Sequence, residues 1–113
     1  MQKPDIKPEH TEVCLWLDFY GQLLTDRTRE VLELYYQEDM TLSEIAEELG
    51  ISRQGVHDRI KQGTNNLGSY ESKLKLVQRF IAQKELASGA LKLLDENDID
   101  SAREIISKLT DML

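Results

Sequence analysis

The chain has 113 residues, 40% hydrophobic and 31% charged, which is near the common size of one compact domain and too apolar for a disordered tail. Six glycines and two prolines are a thin supply for a turn-rich β architecture, and no apolar run approaches the ~20 residues of a membrane span. A net charge of −7 at first argues against nucleic acid, yet residues 51–94 hold eight basic side chains against three acidic ones, a local +5 inside an acidic protein.

In chain order, the start Met1-Gln-Lys-Pro-Asp lacks the apolar core of a secretion signal, and residues 1–10, with Pro4 and Pro8, are expected to fray. From Thr11 the apolar set Val13, Trp16, Leu17, Tyr20, Leu23 and Leu24 follows helical spacing, with Cys14 and Phe19 on its flanks and Gly21 near its end. Thr25 is a good N-cap for a second helix that buries Val31, Leu32, Leu34 and Tyr35, with Tyr36 a further candidate, and stops around Gln37, followed by a turn at Glu38-Asp39-Met40. Thr41-Leu42-Ser43-Glu44 is a capping box, in which hydroxyl and carboxylate each satisfy the other residue's amide. The helix it opens carries Leu42, Ile45, Ala46 and Leu49 on one stripe and ends at Gly50, a residue suited to the left-handed conformation of a C-terminal cap.

Ile51 is the apolar residue of the turn, and Ser52 caps a helix over 53–61. Each element has a task in a helix-turn-helix: Ala46 is small where two helices approach, Gly50 makes the bend, and Ile51, Val56 and Ile60 fasten the second helix to the first. Arg53, Gln54, His57, Asp58 and Lys61 then point outward from a helix whose N-terminal half is the part that enters a major groove. Arg53 matches guanine and Gln54 matches adenine. Ser52 and the free amides at the helix start suit a phosphate, as does Lys61 and, if turned outward, Arg59. The candidate nucleic-acid-binding set is therefore Ser52, Arg53, Gln54, His57, Arg59 and Lys61, with Glu44, Glu47, Glu48 and Asp58 as acids that oppose binding if they face the duplex.

Beyond residue 67, Leu67, Tyr70, Leu74, Val77, Ile81, Leu91 and Leu94 run at three- and four-residue spacing, a long amphipathic helix whose apolar face Leu76, Phe80 and Leu86 widen. Gly63 and Gly68 predict a bend or break near 63–69, since each costs about 1 kcal/mol against alanine in a helix. Asp95-Glu96-Asn97-Asp98 reads as a loop, and a last helix carries Ile99, Ala102, Ile105, Ile106, Leu109, Met112 and Leu113. The organisation expected is one domain over 1–113, with a helix-turn-helix core over 11–67 and a helical extension over 68–113. Either that extension closes on the core as a hairpin, or its apolar stripes associate with a second copy. A homodimer is the expected state, because ~113 residues make a modest core to cover both stripes.

Catalytic material is scarce. Cys14 is the only cysteine, which excludes an internal disulfide and a cysteine-built metal centre and fits the reducing cytoplasm. His10 and His57 are the only histidines, and no phosphate-cradling glycine loop or metal-ligand cluster is present. Cys14 reads as a small hydrophobe, and the pairs Phe19-Tyr20 and Tyr35-Tyr36 as core and boundary rather than base-stacking platforms. The protein is thus expected to be a cytoplasmic non-enzyme with no cofactor and no metal.

The stretch Leu24-Thr25-Asp26-Arg27-Thr28-Arg29-Glu30-Val31, followed by the run from Leu42 to Gln54, resembles the promoter-reading domain of bacterial sigma factors. The likeness is closer to the YlxM family of small bacterial proteins. It takes in Phe19-Tyr20, Leu23 to Asp26, Leu34-Tyr35-Tyr36 and the run Ser52 to Lys61, over roughly residues 13–80. Ile60 follows Val56 by four residues, the spacing of YlxM rather than of sigma reading helices. The resemblance implies an all-α, sigma-factor-like helix-turn-helix bundle followed by a long amphipathic helix and a C-terminal helix. It also implies a DNA-binding regulatory protein acting in the signal recognition particle pathway. The alternative is a protein-interaction module that docks on components of that particle through the C-terminal helices at Ile105, Ile106 or Leu109. Particle RNA is a further conceivable ligand, although the deep, narrow groove of A-form RNA suits a reading helix badly.

Overall fold

A computed structural model describes residues 10–113, so the fraying expected of residues 1–9 lies outside the described residues. Six α-helices follow one another: α1 (His10–Tyr20), α2 (Asp26–Leu32), α3 (Leu42–Leu49), α4 (Arg53–Leu74), α5 (Leu76–Asp95) and α6 (Ile99–Met112). A 3₁₀ turn over Gly21–Leu23 follows α1, and a widened, π-type turn over Glu33–Gln37 continues α2. Among the described residues there is no strand; the protein is all-α.

The predicted caps form. The Thr25 hydroxyl accepts from the Thr28 amide at the head of α2. Thr41 and Glu44 close the full capping box at the head of α3. His10 does not fray: it opens α1, and its Nε2–H donates to the Tyr36 carbonyl, with the two rings 5.1 Å apart. The Cys14 thiol donates to the same oxygen at 3.4 Å. That carbonyl belongs to the end of a helix, where intrahelical donors run out, so side chains of α1 supply them.

The chain divides into two compact units, one up to Lys75 and the other Leu76–Leu113. In the first, Val13, Leu17 and Tyr20 of α1, Val31 and Leu32 of α2, Leu42 and Ile45 of α3, and Val56, Ile60 and Leu67 of α4 are buried together with Tyr35 and Tyr36. Two hydroxyls fasten this core to α4: Tyr20 donates to the Glu71 carboxylate at 2.6 Å, and Tyr36 shares a bond of 3.1 Å with Thr64.

Two expectations need correction. The first helix stops at Tyr20, and Leu23 and Leu24 fall beyond it. The break expected at 63–69 is absent: α4 runs through both glycines and ends only at Lys75, which takes a left-handed φ of 55° while its amide caps the Glu71 carbonyl. The second compact unit begins at Leu76. The glycines have a different task. A Cβ on Gly63 would stand 2.7 Å from Leu32 Cδ1 and 2.8 Å from Thr28 Cγ2, so its bare backbone lets α2 and α4 cross closely. Gly68 similarly lies against the Trp16 ring. Packing of this kind outweighs the weak helix propensity of glycine.

The second unit is a helical hairpin. Glu96 to Asp98 turn the chain, Asn97 taking a left-handed φ of 61° and the Asp98 amide returning to the Leu93 carbonyl at 2.8 Å. The Asp98 carboxylate then caps α6 by accepting from the Ser101 amide. Ala90 and Ala102 are buried, and Gly89 faces Ile105. None of the helices is long and apolar enough to cross a membrane, among the described residues.

Candidate nucleic-acid interface

The site is built on the turn between α3 and α4. Gly50 closes α3 at a φ of +68°, a conformation that costs a side-chain-bearing residue about 1–2 kcal/mol, and its amide bonds the Ala46 carbonyl. The Ile51 amide bonds the same carbonyl, which swings the chain through the bend. Ser52, in extended backbone, accepts from the Gly55 amide at 2.9 Å and starts α4. Behind the turn Ile45, Val56 and Ile60 are 0% exposed, so α4 is held by its apolar stripe and its polar stripe is free.

On that free stripe the structure brings Gln54, Asp58 and Lys61 together, all exposed, with His57 half-buried beside them; Ser52 and Arg53 are exposed at the helix start, Arg53 in line with Val56 and Ile60 rather than with the outer stripe. Gln54 Nε2 donates to Asp58 Oδ1 at 2.9 Å, one turn along the helix. This orients the carboxamide and keeps its Oε1 and second amide hydrogen available, the pair that adenine N6 and N7 would match. His57 Nδ1 lies 3.6 Å from Asp58, too far for a hydrogen bond, and is buried without a partner. Lys61 on the stripe and Arg53 at the helix start are exposed, against one acid of the stripe, Asp58.

Arg59 does not join this face. It is half-buried, and its Nη1 donates to the Thr28 hydroxyl at 3.3 Å, so it braces α4 against α2. Sequence reasoning also missed part of the surface. Asp58, Lys61, Gln62, Asn65 and Asn66 line an open concavity of about 340 Å³ along the outer side of α4. The ladder 54-58-61-65 carries on past Gly63, and following it without treating that glycine as a stop would have found Asn65. Glu47 and Glu48 are exposed on α3, and Glu44 is engaged in its capping box.

Burial, with the charges of Tyr36 and Asp39 added, pushes the Tyr35 hydroxyl up to about 12. Burial also raises Tyr36, against the lowering effect of its bond to Thr64. Both tyrosines are core residues, as expected. Among the described residues no group of three or more histidine, cysteine or acidic side chains converges as metal ligands would.

A capped helix, a left-handed glycine turn, a second capped helix and a buried seam between the two define a helix-turn-helix protein. The chain belongs to the UPF0122 family, whose model, described as "Putative helix-turn-helix protein, YlxM / p13 like", matches residues 8–111. It is similar to the UPF0122 protein of Acetivibrio thermocellus, 53% identical over 90 residues that cover 80% of this chain and 77% of that one. The UPF0122 protein of Desulforamulus reducens is 40% identical over 100 residues (88% and 86%), and that of Bacillus mycoides 44% over 88 residues (78% and 80%).

Proposed function

We propose that this protein is a DNA-binding regulator that presents the first turns of α4 to the major groove. The observation that carries the reading is the division of α4: Val56 and Ile60 are wholly buried, while Gln54, Asp58 and Lys61 stand exposed on the outer side of the same helix and Arg53 is exposed in its first turn. In this reading Arg53 takes guanine, Gln54 takes adenine, His57 lies at the groove wall, and Ser52 with the α4 amides and Lys61 hold the backbone. Arg59 acts by positioning α4 and touches no base. No cofactor or metal takes part, no membrane surface is engaged, and the protein works in the cytoplasm. A homodimer carries two reading helices and so matches paired half-sites.

Selection from a random duplex pool, followed by titration at low and moderate salt, tests this. With Lys61 as the backbone-holding cation of each half-site, two in the dimer, affinity should fall roughly tenfold over a fourfold rise in salt. Arg53→Ala should change which sequences are preferred, whereas Lys61→Ala should weaken all of them alike. No duplex binding at low salt overturns the reading.

A second reading has one observation in its favour: α5 and α6 leave Leu91, Leu94, Ile99 and Ile106 exposed. A docking module would use that face, and the resemblance to YlxM points to a signal recognition particle component as its target. The same titration with particle RNA and particle proteins separates the two, since apolar docking has little salt slope.

A further inference from the structure

The outer stripe of α4 does not stop where the helix-turn-helix stops. After Asp58, the residues Gln62, Asn65, Ser69 and Ser72 continue it at three- and four-residue spacing, with Asn66 beside them, all exposed, while Gly63, Thr64 and Leu67 are buried behind. Asp58 and Glu71 are successive acids of this helix, and Glu71 is turned to the Tyr20 hydroxyl of α1. A chain of net charge −7 thus keeps one exposed strip free of acids, with Lys61 at its near end and Lys73 at its far end. The residues of the strip are a poor choice for a helix face that only meets water. Asparagine and serine are weaker helix formers than lysine or glutamate, because their short polar side chains compete for nearby backbone groups. Exposed as they are, they add nothing to the core either. A local rule broken without a structural gain points to a ligand.

Chemistry and position select the same ligand. The strip offers amide and hydroxyl donors, and Asp58, Lys61, Gln62, Asn65 and Asn66 line an open concavity with no apolar side chain among them. Phosphate oxygens accept from asparagine, glutamine and serine as they do from lysine and arginine. Position follows from length. With 22 residues α4 is about 33 Å long, nearly three times the ~12 Å width of a major groove. Asn65 stands about 16 Å beyond Gln54 along the axis, and Ser69 about 22 Å beyond it. A straight rod cannot follow a groove that winds round the duplex. With the first turns of α4 at the base edges, its later turns ride over the sugar–phosphate strand that bounds the groove. The Asp58 carboxylate repels phosphate, so these contacts fall on the far side of Lys61, where the acid-free strip lies.

We propose, resting on the DNA-binding reading above, that Gln62, Asn65, Asn66 and Ser69 form a second, uncharged part of the interface, which hydrogen-bonds the phosphates flanking the bases that the first turns read. The test titrates the full chain against the duplex it selects and against one altered at the read bases. Gln62→Ala and Asn65→Ala should each weaken binding about three- to tenfold on both duplexes alike, the worth of one hydrogen bond. Their salt slope should match that of the wild type, because a neutral donor displaces no counterion, whereas Lys61→Ala should lower the slope. Alanine is the better helix former at both positions, so a lost helix cannot account for the loss. Asn65→Asp sets a charge against the phosphate and should weaken binding more than tenfold. Ethylation of single phosphates along both strands should reveal a position outside the read bases whose blocking weakens the wild type but not Asn65→Ala. A wild type that binds the duplex as tightly as both Asn65 variants overturns the inference and leaves the DNA reading standing. A wild type that binds no duplex at low salt overturns both.

Discussion

The two units of this chain spend their apolar residues differently. Up to Lys75, the large side chains converge: Val13, Val31, Leu32, Ile45, Val56, Ile60 and Leu67 are all 0% exposed, and two tyrosine hydroxyls lock α1 and the π-type turn to α4. From Leu76 on, the buried residues are Val77, Ala90 and Ala102, while Leu91, Leu94, Ile99 and Ile106 are exposed. A four-helix arrangement can enclose a stripe on each helix, whereas a two-helix hairpin encloses one stripe and leaves any second one outside. The first unit is built to hold one helix rigidly with its polar side free. The second leaves Leu91, Leu94, Ile99 and Ile106 in solvent.

The sharpest way to break that contrast is to truncate one residue in each unit. Ile60→Ala should cost about 3–4 kcal/mol, because a wholly buried branched side chain leaves a cavity against α2 and α3. Leu91→Ala should change the stability of the monomer by less than about 0.5 kcal/mol, since the side chain is largely in solvent. Chemical denaturation of both variants at low protein concentration measures the difference, and comparable losses would mean that the hairpin is held by contacts other than those described here.

A second test uses the tyrosines, which occur at the centre of the first unit. Tyr35 holds its proton to about pH 12 in the fold, against about 10 when unfolded. Below pH 10 both states are protonated and the stability is complete. As pH rises from 10 towards 12 the unfolded chain releases the proton and the folded one does not, so stability falls across that window. Tyr36, raised in the same direction, adds to the slope. Urea midpoints at pH 8, 10 and 11 check this, with Tyr35→Phe expected to flatten the decline.

How much of this was legible beforehand depended on whether the determining contact was local. The Thr41–Glu44 box, the Gly50 bend and the Ser52 cap are bonds within four residues, and the amino acids that make them are written side by side. The outward pair Gln54 and Lys61 followed from the buried stripe for the same reason, whereas Arg53 is exposed because it stands in the first turn. Arg59 and the glycines were not legible, because their roles come from α2: Thr28 draws the guanidinium inward, and Leu32 with Thr28 occupies the space that a side chain on residue 63 would need. Propensity alone makes Gly63 a helix breaker, and tertiary packing makes it a helix contact. Lys75, where α4 does stop, has no composition signal for a left-handed turn.

The smallest effect expected from the first unit tests that last distinction. Gly63→Ala gains about 1 kcal/mol of helix propensity but forces Leu32 Cδ1 and Thr28 Cγ2 away from a new methyl group, so the net cost should be about 1 kcal/mol. If Gly63 were a tolerated breaker, the substitution would stabilise the protein instead, and the sign of the change decides between the two.

Asp58 offers the finest probe of the α4 face, read in binding rather than stability. Its carboxylate orients Gln54 and lowers the positive charge of the stripe at once. Asp58→Asn keeps an acceptor for the Gln54 amide while removing the charge, so it should tighten binding to every duplex a few-fold and leave the preferred sequence intact. Asp58→Ala removes both and should tighten binding similarly while relaxing the preference at the base facing Gln54. Titrating both variants against the preferred duplex and one altered at that base separates charge from orientation. Equal discrimination in the two variants would show that Gln54 needs no help from Asp58, and that the hydrogen bond between them is a surface contact without a part in recognition.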